Sequence, residues 1–521
     1  MYPSPSVESL LGEEVYSSRV SLFGRTGGKG TEETGGWGVR DKTFRFLVPL
    51  LGSRGTEMFK KFKRRSSPVR RSRQPCVTAC PELTARIYCR PHFLHQSPAE
   101  MSQYADQSLR PVLLPPKNKK LPCNTGYAEV INAGKSVFNE DQATCRSIHL
   151  RKAFDIEEEW VLLCPNEDTQ DQGIVATYWG LFDGHGGPMA AVLASEHLHH
   201  CIKGQLEEIL DIISSPCNIP PPIHLEGHKR TQTEISYGIE KNICIENLVK
   251  GALEIAFKNC DELIENYQRS HSQVGGCTAL AILRLQGNLY VANAGDSRAI
   301  IVHKNEIRPL SNEFTAVTER QRIQHLAFLK PELLGDEFSR YEVPRRVKRS
   351  DIGTKILYRD YFMSGWGYKT AEEDDLKYPV VHGDGRQTRV MGMIAVTRGF
   401  GDHGLKAYDT DLCVKPFLSC IPEVTVFNLG QYKFDQSDVL IMATDGLWDI
   451  ISNKEVAETS QKFLEDQKHN PRRYTLLAQC LVNKAKGTQQ ENDWKLEDGS
   501  FASFDDISVF VIPLHNLGGA V

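Results

Sequence analysis

Short apolar runs of strand length alternate along the chain with longer stretches whose apolar residues recur every three or four positions. Tyr127-Ala128-Glu129-Val130-Ile131-Asn132 reads as a strand turned by Gly134, and another short strand lies beside Asn139-Glu140-Asp141. Residues 159–164 and the run Thr177 to Phe182 continue the β-rich texture, with a polar loop over 166–172 between them. Pro188 opens a helix predicted to reach about Ile213, with Leu206, Ile209, Leu210 and Ile213 on one stripe. The Pro-rich residues 214–242 predict a surface loop. A second helix is predicted over 246–267, with Leu248, Ala252, Ile255, Ala256 and Leu263 on one face.

The second half starts with more strands. Cys277–Leu283 and Leu289–Ala294 flank a hairpin turn predicted at Gly287-Asn288, and Ser297–Val302 forms the next strand. A helix is predicted over 315–328, followed by some sixty irregular residues and a strand over Val390–Val396. The apolar run Asp438–Thr444 is a strand ending at Asp445. Ser452 with Glu455 three residues on is a capping box that starts a helix. Pro471 opens one more helix, which Gly487 stops, and Ile507–Pro513 is the last strand.

Composition narrows the function classes. The chain has 521 residues, 40% hydrophobic and 25% charged, an ordinary globular mixture. A net charge of −4 gives no global basic field for nucleic acid. No apolar run approaches the roughly 18–20 residues that span a bilayer, and no signal-peptide core opens the sequence. The 14 cysteines are scattered without a Cys-x-x-Cys pair, which predicts reduced core thiols and a cytoplasmic location, with the nucleus as the second compartment. Residues 1–92 lack periodicity and are predicted to be a disordered basic extension. Met58 is a candidate initiator, which would place residues 1–57 outside the working protein. Residues 58–73 are strongly basic and include Phe59 and Phe62. They read as a nuclear-localisation signal, as a weak contact with anionic lipid, or as a solvated tail.

Acids gather where strands end: Glu140 and Asp141, Asp183, Asp296, Asp445 and Asp449, Asp505 and Asp506. One such acid is ordinarily a turn residue. Several at one sheet edge repel one another and are costly to ionise together without a cation. Oxygen ligands without His or Cys favour Mg²⁺ or Mn²⁺, and two adjacent ions of this kind suit hydrolysis at phosphorus. His185, two residues from Asp183, is suited to protonating a leaving oxygen.

Asn139-Glu140-Asp141, Asp183-Gly184-His185-Gly186-Gly187, Gly275–Ala279 with Ala292–Arg298, Asp445–Asp449 and Asp505–Ser508 occur in an order that resembles the protein phosphatase 2C (PPM) family. Ala395–Gly399 with Gly401-Asp402 resembles a sixth motif. Gly126–Ser136 and Pro416–Ser419 are most similar to its H, J and M subgroup, the M type above all. The resemblance implies an α+β fold: a central β-sandwich of two mostly antiparallel sheets flanked by helix pairs. It implies a catalytic domain over 93–515, with a flap insertion at about 329–389 and a tail over 516–521. It also implies a serine/threonine phosphatase acting on phosphorylated proteins through two Mg²⁺ or Mn²⁺ ions. In that reading Asp183 bridges both ions. Glu140 and the Gly184 carbonyl complete one, and Asp445 and Asp505 the other. Asp296 and Asp449 match positions of a looser third ion, and His185 matches the general acid.

Two departures stand out. The family's phosphate-clamping arginine is replaced by Ser136, with Lys135 beside it as a point charge for the substrate phosphate or as a plain surface lysine. Asp506 stands where the family often has Asn, adding a carboxylate. The basic residues Arg345, Arg346, Lys348 and Arg349 in the flap are expected to touch acidic or phosphorylated surface, or to be a solvated loop. The competing function is a phosphoprotein-binding pseudophosphatase that keeps the fold without the turnover. A two-metal nuclease is disfavoured because no basic groove signature is present.

Overall fold

The computed structural model describes residues 91–94, 103–151, 173–215, 244–304, 306–490 and 493–517. The basic segment 58–73, the strand expected over 159–164 and most of the loop expected over 214–242 lie outside these residues.

Ten strands build the centre. They are β1 (Gly126–Val130), β2 (Gln142–Leu150), β3 (Ile174–Phe182), β4 (Ala279–Leu285) and β5 (Asn288–Ala294), then β6 (Arg298–His303), β7 (Glu306–Pro309), β8 (Glu423–Asn428), β9 (Val439–Ala443) and β10 (Ile507–Pro513). They form two antiparallel sheets, in spatial order β1-β10-β9-β6-β7 and β8-β5-β4-β3-β2. Four helices cover the outer faces: α1 (Met189–Glu208) and α2 (Ile245–His271) on the second sheet, α3 (Asn453–Asp466) and α4 (Arg473–Lys486) on the first.

Both faces of each sheet are therefore covered, which is why the strands read as continuous apolar runs. On β3, Ala176, Tyr178 and Phe182 face the helices, while Trp179 and Leu181 face the other sheet. Leu440, Met442, Phe510 and Ile512 meet them from the first sheet, and a one-residue slip would expose neither set to water but would exchange their packing partners. Phe93 and Leu94 also join this inner core, Phe93 standing edge-on to Tyr127 at 5.0 Å, and packing continues to the buried Leu517.

Local chemistry moved several expected boundaries. The β4–β5 turn is Gln286-Gly287, both with positive φ, and Asn288 already pairs with Leu285. The helix expected over 315–328 starts at Arg320, because the Thr318 hydroxyl closes a turn ahead of it, accepting from Thr315 N and donating to the Glu313 carbonyl. The strand expected over 390–396 is interrupted: Met391 and Gly392 take positive φ and fold Val390 back onto Ile394. The helix starting after Ser452 does form, with the Ser452 hydroxyl accepting from Glu455 N at 3.2 Å. Gly487 ends α4. All cysteines among the described residues are free thiols, and no helix among them is long and apolar enough to cross a membrane.

The segment between Lys330 and Arg389 is a patchwork of two-stranded pieces, such as Lys355–Tyr358 with Gly367–Thr370, around its own small cluster of Val347, Ile356 and Ala371. Of its basic group, Arg345 pairs with Asp351 at 2.8 Å and Arg346 stacks 3.6 Å above the Tyr378 ring.

Candidate active site

Strand ends deliver the acids to one place. β3 stops at Asp183, whose carbonyl accepts from Thr278 N at 2.8 Å and whose N–H donates to the Thr278 hydroxyl at 3.3 Å. That hydroxyl lies 3.0 Å from the hydroxyl of Ser297, one residue past Asp296 in the β5–β6 turn. Asp445 begins the short helix Asp445–Trp448 immediately after β9 and Thr444. As a result, carboxylate oxygens of Asp183, Asp296 and Asp445 all lie within 4.8 Å of one another.

This cluster is electrostatically strained. Burial first, then Asp445 and Asp141, push the Asp183 carboxyl well above the usual carboxylate range. Burial and Asp445 do the same to Asp296. Burial, with Asp505 and Asp449, pushes Asp445 up to about 6. Three such groups resist ionising together. Asp445 Oδ1 is also buried without a hydrogen-bond partner. An orphaned carboxylate oxygen among like charges fits a cation, and the all-oxygen donor set fits a hard divalent one.

Glu140 stands beside the cluster. Its Oε1 accepts from Gly187 N at 2.6 Å. Gly184 passes so close that a Cβ there would sit 2.4 Å from the Glu140 carbonyl oxygen, so only glycine fits. Asp505 is held by an ion pair with Lys135 Nζ, which places that lysine at the cluster rather than on a remote surface. The Ser136 hydroxyl donates to Phe138 O at 2.7 Å, within its own loop. Asp449 lies at the rim, half exposed, where Arg386 of the irregular segment reaches it: Nη1 is 3.1 Å from Oδ2, and Nη2 donates to the Asp449 carbonyl at 2.9 Å.

The two extra acids are framework. Asp506 accepts from Asn132 N at 2.8 Å and Glu140 N at 3.0 Å, and burial pushes its carboxyl up to about 7. Asp141 accepts from the Thr444 hydroxyl at 2.9 Å, and burial and Asp506 hold its carboxyl well above the usual range.

Two contributors carried no role in the sequence reading. His185 Nε2 lies 2.7 Å from Asp402 Oδ2, a partner 217 positions away. Burial alone would lower the imidazole, but Asp402 and Glu140 outweigh it and the net shift is upward. Arg110, fully buried, donates to the carbonyls of Ile131 (2.7 Å), Ser503 (2.6 Å) and Asp505 (2.7 Å). It ties the end of β1 to the loop that carries Asp505. The Gly401-Asp402 motif was a visible signal for the first; nothing in the local pattern marks the second.

The family model "Protein phosphatase 2C" matches residues 226–328 and 380–493, and the gap between these stretches falls within the irregular segment. Protein phosphatase 1M of Homo sapiens is 50% identical over 435 residues, covering 83% of this chain and 92% of the relative. Protein phosphatase 1H of Xenopus tropicalis is 46% identical over 471 residues, covering 82% and 92%. Protein phosphatase 1J of Mus musculus is 46% identical over 455 residues, covering 84% and 89%.

Proposed function

The chain belongs to the protein phosphatase 2C (PPM) family, and from that premise we propose the roles of its site residues. It is a metal-dependent protein serine/threonine phosphatase. The observation that carries the assignment is the half-buried trio Asp183, Asp296 and Asp445, with its orphaned oxygen. Asp183, Asp445, Asp505, Glu140 and the Gly184 carbonyl would hold two Mg²⁺ or Mn²⁺ ions, and Asp296 with Asp449 would serve a third. Such ions, when bound, acidify a water and offset the charge of the phosphoryl group.

The chain's own residues do the rest. His185 donates a proton to the serine or threonine oxygen as it leaves phosphorus; an alkoxide departs poorly without one. Lys135, anchored on Asp505, offers its ammonium to the substrate phosphate as a point charge in place of a bidentate arginine. Asp506 and Asp141 hold the strand ends in register and leave the coordinating to their neighbours. The pseudophosphatase reading has no support, since every matched acid and His185 is present.

The test is hydrolysis of a phosphothreonine peptide with and without Mn²⁺, beside Asp183→Asn. Wild type should turn over only with the ion, and the variant should lose at least about 100-fold. Ion-independent turnover, or a variant equal to wild type, overturns the assignment.

A further inference from the structure

The segment bearing Asp402 is held more firmly than a loop beside an active site requires. Gly401 N donates to Asp261 Oδ1 at 2.8 Å, and Lys415 Nζ bridges Asp261 Oδ2 (3.0 Å) and the Gly401 carbonyl (2.6 Å). On the other side, His403 Nε2 lies 3.1 Å from Asp261 Oδ1. Asp402 N donates to Gly275 O at 2.9 Å. Between these anchors Asp402 takes φ +57°, a left-handed conformation that favours glycine and strains other residues. Such strain persists only where the surroundings over-determine it.

What the strain achieves is aim. Gly276 is the middle of a three-stranded patch, paired with His185 on one side and Gly401 on the other. A Cβ at Gly276 would lie 2.3 Å from Asp402 Oδ2, so the missing side chain is the space that the carboxylate fills on its way to His185. Asp402 is nearly buried, at 7% side-chain exposure, and its Oδ2 meets His185 Nε2 at 2.7 Å.

We propose that Asp402 is a positioning residue that orients His185 for proton donation, and that Asp261 and Lys415 serve to hold Asp402 in its strained conformation. This inference rests on His185 being the general acid. With Nε2 engaged by Asp402, the transferred proton leaves from Nδ1. A water oxygen bonds to phosphorus as the ester P–O bond breaks with its electron pair on the serine or threonine oxygen; that oxygen takes the proton, and His185 is left neutral.

Leaving-group dependence tests it. A phosphothreonine peptide needs a proton for its leaving oxygen, whereas p-nitrophenyl phosphate releases a stable anion and does not. Asp402→Asn and Asp402→Ala should lower kcat on the peptide about 10- to 100-fold. On p-nitrophenyl phosphate both should stay within about threefold of wild type, which also shows that they fold, and calorimetric Mn²⁺ affinity should not change. Equal losses on both substrates, or none on either, overturn the inference. His185→Gln separates the two layers of reasoning. If it shows no selective loss on the peptide, the general-acid reading fails and takes this inference with it. If it is selective while both Asp402 variants are not, the positioning role alone fails.

Discussion

Arg110 offers a direct measure of how the site is tied together. Its guanidinium donates to three backbone carbonyls, those of Ile131, Ser503 and Asp505, and its face lies 5.2 Å from the centre of the Trp494 ring. Arg110→Leu keeps the apolar stem but removes all three donors. Each buried carbonyl left unpaired costs about 1–3 kcal/mol. Part of this is offset because Leu removes a buried charge, whose desolvation already pulls the Arg110 guanidinium down to about 10. A net loss of about 4 kcal/mol follows. With an unfolding entropy of about 2.1 cal/mol/K per residue over roughly 400 folded residues, this lowers Tm by about 5 °C. Differential scanning calorimetry with chelator present would read it. The loop that carries Asp505 should also loosen, weakening Mn²⁺ binding severalfold by isothermal calorimetry. A variant within about 1 °C of wild type, with unchanged Mn²⁺ affinity, would refute the view that Arg110 locks this loop.

Three further outcomes are expected. Burial, then His200 and Arg146, pushes His199 down to about 3, while the unfolded chain binds its proton near pH 6.5, so stability is full above 6.5 and falls as pH drops toward 3. At about 1.4 kcal/mol per pH unit this removes about 2 kcal/mol by pH 5, and His199→Leu should flatten the acid limb of urea-denaturation stability; an unchanged limb would dismiss the role. Lys135→Ala should raise KM for a phosphothreonine peptide about three- to tenfold, and an unaltered KM would return Lys135 to the surface lysines. Arg386→Gln removes a cation from Asp449, so the weakest Mn²⁺ site should tighten by up to about fivefold in calorimetric titration, the exposure of this pair limiting the effect; identical isotherms would count against it.

The site acids were legible because each ends or begins a strand buried on both faces, so the apolar run before Asp183 or Asp445 stops abruptly at charge. The strands were legible for the same reason and the helices from their stripes and caps, whereas the sandwich they build came from the resemblance to the family. The errors came where a short-range rule competes with another. Glycine at 287 marked the turn, but Gln286 rather than Asn288 supplied the second left-handed residue. The stretch after Val390 has strand composition, and a Met391-Gly392 turn breaks it. Arg110, Asp402 and Arg386 act on partners far away in sequence, 395 positions in the case of Asp505, and no periodicity encodes such a meeting. Arg110 also sits in a polar stretch without pattern, where a buried guanidinium has no local signature.

The carboxylate cluster straddles the gap between the two sheets. Asp183 hangs from β3 and Glu140 precedes β2, both of the second sheet, whereas Asp445 follows β9 and Asp505 precedes β10 of the first. Facing like charges push the two layers apart at this end, and a divalent ion would draw them together. A bound ion would thus also fasten the scaffold. Depleting it should slacken the sandwich at its seam, and sites for phosphate and for structural integrity would be loaded by the same event.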